Sequence, residues 1–148
     1  MKMPPRRGSA VVELALCLPF LVGLFLGTLQ FGYSFFVYNE LQQAVRAGAR
    51  YASLRHYSSS TATPDSAFLN AVRNVVVYAN PAGGTTPIAP GLTTAQVAVS
   101  VVFQKNVPVA VRVAVNGYQL PGIVRTVPLT NKPYVEFPYV GAFSPPVS

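Results

Sequence analysis

The chain opens with an apolar run: from Leu14 to Asn39 (LALCLPFLVGLFLGTLQFGYSFFVYN) no side chain is charged. As a helix this run would reach roughly 35 to 40 Å, against a hydrocarbon core of about 30 Å, so it can cross a bilayer with some tilt. The segment that follows, NELQQAVRAGARYASLRHY, holds good helix formers and no proline, which predicts that the helix continues past Tyr38. Its apolar and small positions, Leu41, Ala44, Val45, Gly48 and Ala52, recur at three- and four-residue steps and mark one packing face.

After a Ser/Thr-rich stretch, Ser58 to Thr63, the pattern changes. Pro64-Asp65-Ser66 is a helix start signal, and Phe68, Leu69, Val72, Val75, Val76 and Ala79 share a face of a second, shorter helix that stops at Asn80-Pro81. The Gly/Pro/Thr-rich segment Ala82 to Thr94 is predicted to be a long surface loop. Strict alternation then begins. Val97, Val99, Val101 and Phe103 share one face of a strand, and Val107, Val109, Val111, Val113 and Val115 repeat the pattern after Lys105-Asn106, as in a hairpin. Pro108 places the second strand at an edge or gives it an irregular start. Ile123 to Leu129 and Tyr134 to Tyr139 are weaker extended pieces that could complete an antiparallel sheet covered on one face by the short helix.

Composition agrees with a membrane or a polymer: 51% of residues are hydrophobic and 10% charged, where soluble domains carry about 25% charged. The net charge of +7 does not argue for nucleic acid. Lys2, Arg6 and Arg7 precede the apolar run, Arg46, Arg50 and Arg55 follow it, and the other basic residues are scattered with no interleaved aromatic platform. Arg46 and Arg50 stand one turn apart, as a solvated face would have them or as a contact for phosphates or an acidic partner. The single cysteine, Cys17, allows neither an internal disulfide nor a paired-cysteine metal site. With one histidine and four acids, His56, Asp65 and Glu136 are the residual candidates for catalysis, and their spacing matches no nucleophile, metal or phosphate-cradle motif. No catalytic residue, metal site or cofactor is expected.

A secretory signal would have an apolar region of about 7 to 15 residues followed by a small-x-small cleavage site. None follows here, so the run is expected to be a retained anchor. Cys17 does not make a lipoprotein site, because Leu16 before it is not small. Three basic residues flank each end, and the nearness of Arg6 and Arg7 to the apolar edge favours a cytoplasmic N-terminus. Within the run, Pro19 removes one helical hydrogen bond, and Gly23, Gly27 and Gly32 offer a low-profile surface to another helix.

The densest information lies in Arg6-Arg7-Gly8-Ser9-Ala10-Val11-Val12-Glu13-Leu14. A carboxylate carried to the bilayer centre costs about 2.5 to 3.5 kcal/mol, so Glu13 calls for a partner. Cleavage after Gly8 would make Ser9 the new N-terminus, one helical turn from Glu13. An ammonium and a carboxylate about 4 Å apart attract by about 4 kcal/mol at an effective dielectric near 20. The partner amine can belong to the same chain or to a neighbour.

A short basic leader ending in Gly, a Glu at the fifth position beyond it and an apolar helix resemble the type IV pilins. The stretch RRGSAVVELALCLPFLVGLFLGTLQFGYSFFVYNELQQAVRAGARYAS, about a third of the chain, resembles the TadE-like pseudopilins of the tight-adherence pilus more closely. The likeness rests on the Gly8/Glu13 junction, Pro19, the exit Gln30-Phe31-Gly32 and the AVRAGARYA tail. It departs at Leu14, where the family often has an aromatic residue.

The residue patterns and the resemblance together predict an α+β protein: a leader over 1–8, a transmembrane helix continuing into a pilin-like stalk over 9–57, and a small extracytoplasmic head with a short helix and an antiparallel sheet over 58–148. The resemblance implies cleavage between Gly8 and Ser9 by a prepilin peptidase, with Glu13 serving recognition or assembly. The partners it implies are that peptidase, other pilins and pseudopilins, the inner-membrane assembly platform and membrane lipid, without nucleic acid. The location would be the bacterial inner membrane, with the surface pilus as destination after assembly, in adhesion and biofilm formation. The alternative is an uncleaved single-pass protein displaying a β-rich binding or adhesion head.

Overall fold

The computed structural model describes residues 7–145. One helix dominates it: α1 runs from Arg7 to Leu54 without interruption, Pro19 included. A 48-residue helix is about 70 Å long at 1.5 Å per residue, and its two halves live in different surroundings. Its lower half packs on nothing: every side chain described from Ala10 to Leu26 is exposed. From Val37 upward one face disappears into the core, with Leu41, Ala44, Val45, Ala49 and Ala52 all essentially inaccessible. The three- and four-residue spacing predicted for that face is the packing face, extended by Val37, Ala49 and Ser53. The helix stops at Leu54, short of the predicted continuation, and Tyr57 turns into the core.

The second helix, α2 (Ser66–Tyr78), starts where Pro64-Asp65-Ser66 directed. Asp65 is its N-cap, accepting a hydrogen bond from the Phe68 N–H at 2.6 Å, and Ala79 ends it in the left-handed conformation. Phe68, Val72, Val75 and Val76 are buried as predicted, joined by Ala71 and Val77, while Leu69 is half-buried and Ala79 exposed. Gly48 is the point of closest approach between α1 and α2, where an added Cβ would collide with the Val76 side chain. The loop after α2 is not confined to the surface: Ala89 and Leu92 are buried, and the Ile88 N–H donates to the Val77 carbonyl at 2.8 Å. A short 3-10 turn, Thr94–Gln96, leads into the sheet.

Strands β1 (Val97–Gln104) and β2 (Val107–Val115) form the predicted hairpin, joined by Lys105 and Asn106, both at positive φ as a tight two-residue turn requires. Two expectations are corrected. Counting the later strands β3 (Tyr118–Leu120), β4 (Val127–Leu129) and β5 (Tyr134–Pro138), the main sheet has the order β1-β2-β5, so β2 is central and not an edge. It tolerates Pro108 because β5 pairs only from Ala110 to Ala114, and the β1–β2 register shifts between Val102 and Phe103, opposite the proline. The irregular start was the correct half of that expectation. The second correction concerns Ile123 to Leu129, which does not join the main sheet. Only Val127–Leu129 is a strand, and it pairs with β3 in a separate two-stranded ribbon.

The chain end closes the head. The Tyr57 N–H donates to the Ala142 carbonyl at 2.9 Å and the Val140 N–H to the Ser53 carbonyl at 3.0 Å, tying the residues after β5 to the top of α1. Around Tyr57 gather Phe68, Phe103, Tyr139 and Phe143, with ring centroids 5.3 to 6.3 Å away. The architecture is α+β, a long apolar helix with a short helix and an antiparallel sheet built around its upper half.

Candidate functional site

The residues singled out in the sequence lie along the lower half of α1. Gly8 and Ser9 occupy its first turn, Gly8 exposed, and Glu13 is exposed about one turn further on. Lys2 and Arg6 lie outside the described residues. Helical geometry puts Glu13 over Ser9, so an amine created on Ser9 would emerge below the carboxylate on the same face of the helix. Cys17 is exposed, and Gly23, Gly27 and Gly32 are exposed or half-exposed with none of the described residues within 4 Å of an added Cβ. The glycine surface is therefore unused within the monomer, unlike Gly48.

The candidate catalytic side chains stand apart. His56 contacts the Ser144 hydroxyl, Asp65 caps α2, and Glu136 lies opposite Arg112 across the β2–β5 pair. Among the described residues no three His, Cys, Asp or Glu side chains converge on a metal position. The ionisable groups with perturbed protonation serve structure. Asp65 is held below the usual carboxylate range by hydrogen bonds from the Ser58 hydroxyl and the Phe68 N–H, and burial pushes the Tyr57 phenol up. Arg46 and Arg50 are exposed on α1.

One contact gives the sequence no local signal. Gln30, on the exposed half of α1, is clasped by the loop between β3 and β4: its Nε2 donates to the Arg125 carbonyl and its Oε1 accepts from the Val124 N–H, both at 2.7 Å. Ser34, one turn up, donates to the Pro121 carbonyl at 3.5 Å. Gly122 makes the approach possible, since an added Cβ would collide with the Gln30 amide and the Arg125 carbonyl. Between α1 and the β3–β4 hairpin lies an apolar groove of about 450 Å³, lined by Gln30, Phe31, Phe35, Tyr38, Leu120 and Val127 among others. The partners are more than ninety positions apart, so only the folded chain brings them together.

Among the described residues α1 is the one helix long and apolar enough to cross a membrane, and its most apolar stretch has no buried residue. A single exposed apolar helix whose upper half is the spine of a small α+β head fits one class, a single-span membrane protein with a head on its anchor. A protein-family model described as TadE-like protein matches residues 8–50. The match falls on the stretch whose motifs carry the TadE-like resemblance. No curated protein and no solved structure matches the chain.

Proposed function

We propose that the protein is a minor pilin of a tight-adherence pilus, held in the inner membrane by α1 until its leader is removed between Gly8 and Ser9 by a prepilin peptidase. The observation that carries this reading is a carboxylate, Glu13, on an otherwise apolar helix surface that the chain itself leaves uncovered, inside the segment that is TadE-like. An exposed carboxylate at that depth is costly in a resting anchor and useful in a polymer, where it meets the new amine of the same or the next subunit. Gly23, Gly27 and Gly32 then serve close helix packing between subunits, which their open surroundings permit. The head faces the extracytoplasmic side, and the partners are the peptidase, the other pilins and pseudopilins, the assembly platform and lipid. No catalysis and no nucleic acid enter.

Replacing Glu13 by Ala tests this. Membrane insertion and head folding are expected to persist while pilus assembly drops sharply, as counted on cells by electron microscopy. Unchanged piliation in the Glu13→Ala strain would remove the docking role from Glu13.

A further inference from the structure

We infer that the β3–β4 hairpin is a second membrane foot, its loop tip Ile123-Val124-Arg125 seated in the extracytoplasmic lipid interface beside α1. The inference rests on the single-span reading of α1 and adds a lipid-contacting surface in the head, far away in sequence.

The depth follows from helix geometry. If the hydrocarbon layer begins at Ala10, about 20 residues at 1.5 Å each bring its far edge to Gln30. If it begins at Leu14, just past the carboxylate, the far edge falls at Ser34 by the same arithmetic. Gln30 and Ser34 are the two residues of α1 that hold the loop, through Arg125 and Val124 below and Pro121 above. Either register therefore puts the loop at the boundary between hydrocarbon and headgroups.

The chemistry of the loop matches that layer. Ile123 and Val124 are adjacent and 55% and 68% exposed, and Arg125 after them lines one groove with the exposed Phe31 and Phe35 of the helix. Two adjacent exposed aliphatics on a loop have little to gain in water, whereas at the interface they enter the acyl boundary. Arg125 follows them, exposed, with a stem long enough to bring its guanidinium up to lipid phosphates. The clasp also resolves the cost of the depth. A free amide on Gln30 and unpaired loop backbone would both be penalised near hydrocarbon, and each satisfies the other. The apolar groove between α1 and the hairpin lies in the same layer, so the lipid-facing surface of the helix continues onto the head.

The chain contains no tryptophan, so one introduced residue reports alone. The full chain carrying Val124→Trp is reconstituted in phosphatidylethanolamine/phosphatidylglycerol vesicles with quenchers attached either near the headgroup or deep in the acyl chain. Phe20→Trp reports the span, and Val107→Trp, at the β1–β2 turn beside the Tyr57 cluster, reports the membrane-distal end. The expected result is blue-shifted emission from Val124→Trp and shallow quenching at least about twofold stronger than that of Val107→Trp, as an interfacial position requires. Adding Gln30→Ala or Gly122→Val to the Val124→Trp chain opens the clasp and lowers that quenching. Ile123→Trp serves as a second reporter should Val124→Trp fold poorly. If both loop reporters behave like Val107→Trp while Phe20→Trp is quenched by the deep label, the foot is refuted and the span stands. If Phe20→Trp also escapes quenching, the single-span reading falls and the foot with it.

Discussion

Glycines that look alike in the sequence part company at the level of single residues. Gly48 sits against Val76, and a larger side chain there must push α1 and α2 apart, while Gly23 and Gly27 face open space. Gly48→Val is expected to destabilise the head by about 1 to 3 kcal/mol through overpacking, read as a lowered thermal midpoint by circular dichroism of the full chain in detergent micelles. Gly23→Ala and Gly27→Ala should leave that midpoint unchanged, so any defect they cause belongs to assembly. Asp65 supplies a second residue-scale expectation. Its side chain caps α2, and Asp65→Ala is expected to cost about 0.5 to 2 kcal/mol in the same measurement. Because its folded pKa lies below the unfolded one, its contribution is complete above the ordinary aspartate value of about 3.9 and fades as pH falls through the depressed value. Asp65→Asn keeps an acceptor but cannot titrate, so the acid limb of the stability profile should flatten in that variant.

The contrast at the scale of elements is between the two halves of α1. Leu41 is fully buried in the head, so Leu41→Ala is expected to cost about 2 to 5 kcal/mol, whereas Leu24→Ala, on the exposed half, should leave head unfolding untouched. Thermal melts of the two variants side by side check this directly. Periodicity makes elements of this kind readable in advance. The small-residue face at Leu41 to Ala52, the cap at Asp65 and the alternation of Val97 to Val115 are each long or chemically distinct enough to leave a pattern in the sequence. Strands of three residues are not, which is why β3 left no sign and Val127–Leu129 was assigned to the wrong sheet. Pro108 also misled, since its meaning depends on where β5 begins to pair, a fact of tertiary register. Gln30 is legible only as part of the exit Gln30-Phe31-Gly32, and its partners in the 121–126 loop are not legible at all, because no local rule links positions so far apart.

For the molecule as a whole, one helix links a head with its own buried core to a surface that the described residues leave bare. The head is closed by the aromatic cluster at Tyr57 and by the residues that return after β5, so its buried core draws nothing from the helix below Gln30. That division suits the proposed pilin, a subunit stored by its anchor and later transferred into a polymer: the helix below Gln30 could exchange lipid for neighbouring helices without disturbing the fold above it. The second membrane foot would fix how the head stands on the bilayer before that exchange. The pilin reading depends on what happens at the Gly8–Ser9 bond, since cleavage there separates a pilin from a displayed anchor protein. The intact mass of the protein purified from cells carrying a prepilin peptidase tests it most directly: the account predicts a chain beginning at Ser9, and a chain that keeps the basic leader in those cells would contradict it.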